Sequence, residues 1–66
     1  MTGEELRRAR VIKKYTQKQL GEKLGLKGRS AEVMVQCWEY GTRNIPVKYF
    51  RQLSEILEVP LDKFIP

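Results

Sequence analysis

Between Tyr15 and Leu26 the chain reads YTQKQLGEKLGL, and this run carries both the start and the stop of one short helix. Thr16 can accept from the backbone three residues on while Gln19 reaches back to the cap, forming a capping box. Tyr15, just before the cap, can fold onto Leu20 as a hydrophobic staple. A helix therefore begins at Gln17. Gly25 stops it, because glycine enters the left-handed conformation that closes a helix without steric penalty. Leu20 and Leu24 then share one face, and Gly21 offers a surface bare of side chain on which a second helix can settle closely.

The rest of the chain repeats this helical grammar. Apolar positions recur at three- and four-residue intervals, with no alternating strand pattern and no hairpin turn, so an all-α bundle of about five short helices is predicted. Thr2 and Glu5 form another capping box, opening a first helix that reaches about Lys14 with Leu6, Ala9 and Ile12 on its apolar face. Lys27, Gly28, Arg29 and Ser30 read as a basic loop. Ser30 is then the cap of a third helix that runs through Val33, Val35 and Trp38 to Tyr40 and ends at Gly41. The spacing of Trp38 from Val35 puts it on the core side. After a connector, Pro46 opens a fourth helix with Val47, Phe50, Leu53, Ile56 and Leu57 on one stripe. Pro60 opens a last short helix from Leu61 to Ile65, with Phe64 available to the core or to a partner.

Length and composition narrow the function classes. A chain of 66 residues holds a single domain, here spanning 1–66, and at this size about 60% of the unfolded surface is buried, so the core must be simple. With 41% apolar and 32% charged residues the chain has the balance of a folded domain, and its net charge of +5 favours polyanions. Cys37 is the sole cysteine and histidine is absent, which rules out an intrachain disulfide and an ordinary Cys/His zinc site. There is no apolar leader or membrane-length run, so a cytoplasmic protein in a reducing compartment is expected. No nucleophile has an identifiable base, the acidic residues show no ligand spacing, and so little chain can hardly bury a cleft. Neither an enzyme nor a cofactor, metal or small-molecule binder is expected.

Taken together, Leu6 with Arg10, YTQKQLGEKLGL at 15–26, WEYG at 38–41, Pro46 and VPLDKF at 59–64 resemble the DNA-binding domains of lambdoid phage repressors and Cro, the xenobiotic-response-element family. The resemblance covers nearly the whole chain. It implies a helix-turn-helix whose second helix lies in the major groove of double-stranded DNA, and a small transcription regulator of repressor, antitoxin or controller type. It also implies a possible homodimer, for which Leu61, Phe64 and Ile65 are the candidate surface. One departure stands out: relatives pass from the turn glycine to the recognition helix about four residues sooner. Lys27 to Ser30 reads as the insertion, an extended turn.

Carried over by position, the base-facing residues are Glu32, Val33, Met34, Gln36 and Cys37. Gln36 can address adenine, Val33 and Met34 can pack on a thymine methyl, and Glu32 can accept from cytosine, yet this face has no Arg, Lys or Asn. For Cys37 a redox switch is the alternative to a plain small side chain. The candidate phosphate contacts are Gln17 at a helix start, Lys27, Arg29 and Ser30 before the recognition helix, and Thr42, Arg43, Asn44 and Lys48 after it. Tyr40 has two roles open to it, a phosphate bond or a contact with the core. Arg10 and Glu39 match an ion pair that in some relatives ties the first helix to the end of the recognition helix. A protein-interaction module built on the same fold is the competing reading, with Val33, Met34 and Cys37 as its apolar contact surface.

Overall fold

Both capping boxes form. In the computed structural model, which describes residues 1–65, the Thr2 backbone N–H donates to Glu5 at 2.8 Å and the Glu5 N–H donates to the Thr2 hydroxyl at 3.1 Å. Thr16 and Gln19 do the same at 2.9 and 3.0 Å. These caps open α1 (Gly3–Ile12) and α2 (Gln17–Lys23); α3 (Gly28–Tyr40) and α4 (Phe50–Leu57) follow. Two single turns of 3-10 helix, Val47–Tyr49 and Leu61–Lys63, complete the order, and no strand occurs among the described residues.

All four α-helices close in the same way. A left-handed residue follows each of them: Lys14, Gly25, Gly41 and Glu58. The next residue then donates its N–H back across the last turn, Tyr15 to Arg10, Leu26 to Gly21, Thr42 to Cys37 and Val59 to Ser54, at 3.0–3.2 Å. This pattern satisfies carbonyls that would otherwise lack a partner at the helix end.

The core gathers Leu6 from α1, Leu20 and Leu24 around α2, Ala31, Val35 and Trp38 from α3, Leu53 and Leu57 from α4, and Phe64 from beyond the last turn. Trp38 is the core residue its spacing predicts, with its ring 5.5 Å from that of Tyr49. Packing of α2 on α3 is tightest at Gly21, where a Cβ would stand 2.3 Å from the Ala31 carbonyl oxygen. A second close approach has no local signal in the sequence. A Cβ on Gly3 would lie 2.2 Å from the Glu39 carbonyl oxygen, so the first turn of α1 sits directly against the last turn of α3.

The structure corrects several expectations. Among the described residues there are four α-helices and two 3-10 turns where about five helices are expected. The extended turn is absent: α3 starts at Gly28, Lys27 holds the cap position without a side-chain cap bond, and Ser30 lies inside the first helical turn. Residues 28–30, expected in a loop, therefore belong to α3, and the turn after α2 is short. α1 ends at Ile12, which is 76% exposed, because the chain reverses at left-handed Lys14 before another core position can be reached. Val47 is also 76% exposed, since the 3-10 turn rotates it away from the stripe that α4 presents. The final helix is only the turn Leu61–Lys63; Phe64 is buried against Phe50 and is not free to meet a second copy, whereas Leu61 and Ile65 are exposed.

Candidate nucleic-acid interface

The C-terminal turn of α3 is held by a part-buried polar junction. Glu39, its side chain 3% exposed, accepts from Arg10 Nε at 2.6 Å and from Arg10 Nη2 at 3.2 Å. The third guanidinium nitrogen, Nη1, donates to the Tyr15 carbonyl at 2.8 Å, and Gln17 Nε2 donates to Glu39 Oε1 at 3.1 Å. One carboxylate thus joins α1, the turn after it, the start of α2 and the end of α3. The bidentate geometry fixes the arginine plane as well as its position.

This junction forms one wall of a polar cavity of about 460 Å³ lined by Glu4, Arg7, Arg10, Gln17, Glu39 and Tyr40. Gln17 is half-buried, and its amide N–H is already engaged with Glu39 while its carbonyl end has no partner among the described hydrogen bonds. Tyr40 is 73% exposed, which removes the core role and leaves its hydroxyl available to solvent or a ligand. Arg7 was not among the sequence candidates. Its position one helical turn before Arg10 on α1 is the signal that points to it.

The outward side of α3 carries a second depression, a groove of about 590 Å³ lined by Leu26, Arg29, Ser30, Val33, Met34, Cys37 and Arg43. Val33, Met34 and Cys37, three of the expected base-facing residues, meet here. Glu32 is exposed and Gln36 half-buried, and neither lines this groove. Ala31, Val35 and Trp38 point the other way into the core and Met34 packs against its edge, whereas Arg29, Glu32 and Val33 are exposed. Leu26 is a further residue missed by sequence reasoning; its place directly after Gly25 is the only hint of it.

The cationic candidates do not all gather at one point. Arg29 and Arg43 border the groove from the start of α3 and from the segment after it, with Lys27 exposed beside Arg29. Asn44 lines a different cavity, with Met1, Ile45, Val47, Phe50 and Phe64. The Lys48 ammonium lies over the Tyr49 ring, 5.1 Å from its centroid. The Thr42 hydroxyl donates to the Cys37 carbonyl at 3.2 Å, so its first role is to close α3. No helix among the described residues is long and apolar enough to cross a membrane.

The helix-turn-helix family profile matches residues 6–64, whereas no curated protein and no solved structure matches the chain. That family is one of DNA-binding regulatory domains and not of enzymes. The match spans the capped α2, the Gly21 contact with α3, and the Arg10–Glu39 junction that fixes the end of α3. The chain belongs to the helix-turn-helix family of lambda-repressor and Cro-like DNA-binding domains.

Proposed function

We propose that this chain is a small transcription regulator that binds double-stranded DNA sequence-specifically, with α3 lying in the major groove. The observation that carries the reading is the outward groove on α3: exposed Val33 lies in it together with Arg29 and Arg43. Cations beside an exposed helix face suit the phosphates that flank a groove. In this reading Val33, Met34 and Cys37 meet base edges directly, Gln36 and Glu32 reach them from the flank, and Arg29, Lys27 and Ser30 hold one phosphate strand. Arg43, Thr42, Asn44 and Lys48 hold the other strand, while Gln17 and Tyr40, with Arg7, meet phosphate at the polar cavity. Binding as a homodimer would space two half-sites by about one turn of duplex.

Selection of bound sequences from a random duplex pool at physiological salt tests this. An enriched pseudo-palindrome supports a dimeric operator binder, and a single enriched half-site supports a monomer; absence of any enrichment overturns the proposal.

The apolar lining of the same groove favours a second reading, a docking surface for a protein partner. Charge reversal separates the two. Lys27→Glu, Arg29→Glu and Arg43→Glu together abolish DNA binding under the first reading and leave an apolar protein contact largely intact under the second.

A further inference from the structure

We propose that the groove on α3 reads the C5-methyl groups of thymine, so that this chain selects DNA chiefly by apolar contact; the proposal rests on α3 lying in the major groove. Four of the groove's side chains, Leu26, Val33, Met34 and Cys37, are apolar or nearly so, and they are contributed by the turn and by successive turns of α3. Met34 and Leu26 lean on the core with part of each side chain left open, Cys37 is half-buried and Val33 is exposed, so together they form a shallow apolar floor. In the major groove only thymine offers an apolar group; the other bases present amino donors and ring or carbonyl acceptors. An amino group or N7 pressed against this floor would lose its water and find no partner, whereas a methyl group gains by leaving water.

Charge supplies the second half of the fit. Arg29 and Arg43 line the same groove, and cations beside an apolar floor suit the polyanionic backbone that runs beside a row of methyl groups. An apolar protein segment would use the floor and leave the two arginines without counterions. Arg29 can also form a bidentate pair with guanine, which would make hydrogen bonding the source of selectivity, and the experiment below distinguishes that case.

The test uses the intact chain and duplexes enriched from the random pool, each prepared once with thymine and once with uracil throughout, so that only the methyl groups differ. Affinities are compared by fluorescence anisotropy at the same salt concentration. Burying one methyl group corresponds to about fourfold in affinity, so the uracil duplex binds about fourfold more weakly for each methyl seated in the groove, and about fifteenfold for two. Val33→Ser and Met34→Ser, each checked for folding by circular dichroism, reduce this discrimination. Equal affinity for the two duplexes overturns the methyl proposal and leaves DNA binding standing. Discrimination that survives undiminished in both variants overturns it as well, since the uracil effect then lies in duplex flexibility. A pool that yields no enriched duplex overturns the proposal together with the DNA reading on which it rests.

Discussion

Arg10 and Glu39 meet edge to edge across the domain, two guanidinium nitrogens on two carboxylate oxygens, with the arginine side chain 11% and the glutamate 3% exposed. Removing one member leaves a charge with little water to receive it. Arg10→Ala or Glu39→Ala should therefore lower stability by roughly 3–5 kcal/mol, a large fraction of what a small domain possesses. Replacing both with apolar residues of similar size should cost much less than either single change. Urea unfolding followed by circular dichroism measures all three. DNA binding lost in a single variant should return where low temperature or a stabilising substitution restores the fold.

The two close helix approaches give a contrasting pair of steric predictions. Gly21→Ala places a methyl 2.3 Å from the Ala31 carbonyl and Gly3→Ala places one 2.2 Å from the Glu39 carbonyl, so the helices must move apart in either case. Each change should cost about 1–3 kcal/mol. At Gly25 nothing lies within 4 Å of the place a methyl would take and only its φ of +94° resists substitution, so Gly25→Ala should cost about 1 kcal/mol. Thermal melting of the three variants ranks them.

Lys14 occupies the left-handed region, with φ at 63°, where a side chain is strained. Lys14→Gly should stabilise the domain by up to about 1 kcal/mol, raising Tm by roughly 4–8 °C per kcal/mol in a chain of this size. Glu58, at φ 54°, should gain less from the same change, because it pairs with Lys13. Scanning calorimetry of Lys14→Gly and Glu58→Gly, side by side, checks the order.

Two exposed carboxylates set a pH dependence. The Thr2 backbone N–H, followed by the Thr2 hydroxyl, holds Glu5 below its usual value of 4.5, and the hydrogen bond and charge of Lys13 lower Glu58. A carboxyl group depressed on folding stabilises the native state above its unfolded pKa and loses that contribution as pH falls through the folded pKa. Stability should thus be level above about pH 5 and decline below 4.5. Glu5→Gln and Glu58→Gln should each flatten part of that decline when unfolding is measured between about pH 3 and pH 6.

Binding to duplex DNA should be strongly salt-dependent. Four to five phosphates neutralised per chain give a slope of about −4 for log affinity against log salt, and Arg43→Ala should reduce it by about 1. A flat titration across roughly 50–300 mM salt would remove the electrostatic basis of the proposed interface.

How much of this was legible depended on whether the cause was local. The starts of α1 and α2 could be read because Thr2 with Glu5 and Thr16 with Gln19 complete their bonds within four residues. Gly25 and Trp38 were readable for similar reasons, one from its conformational freedom and one from its spacing. The start of α3 was not, because no side chain caps it: its register goes with the contact of Ala31 on Gly21, a contact between helices. Ile12 and Val47 stand where a helical period is broken by a turn, so the apolar pattern continues after the backbone has left it. Gly3 and Arg7 gain their meaning only from α3, far along the chain. Of the proposed interface, Val33, Met34, Cys37, Arg29 and Arg43 were all legible as types and positions; their convergence with Leu26 into one groove was not.

The core of α3 lies on Ala31, Val35 and Trp38, and its limits are set by a left-handed residue at one end and a helix contact near the other. The outward positions 29, 32, 33 and 36 carry neither task. Surface exchanges of this kind typically alter stability by no more than about 0.5 kcal/mol. If α3 reads DNA as proposed, a lineage can therefore rewrite what this helix recognises, one substitution at a time, while every intermediate still folds, so a new target is open to it without passing through a broken protein.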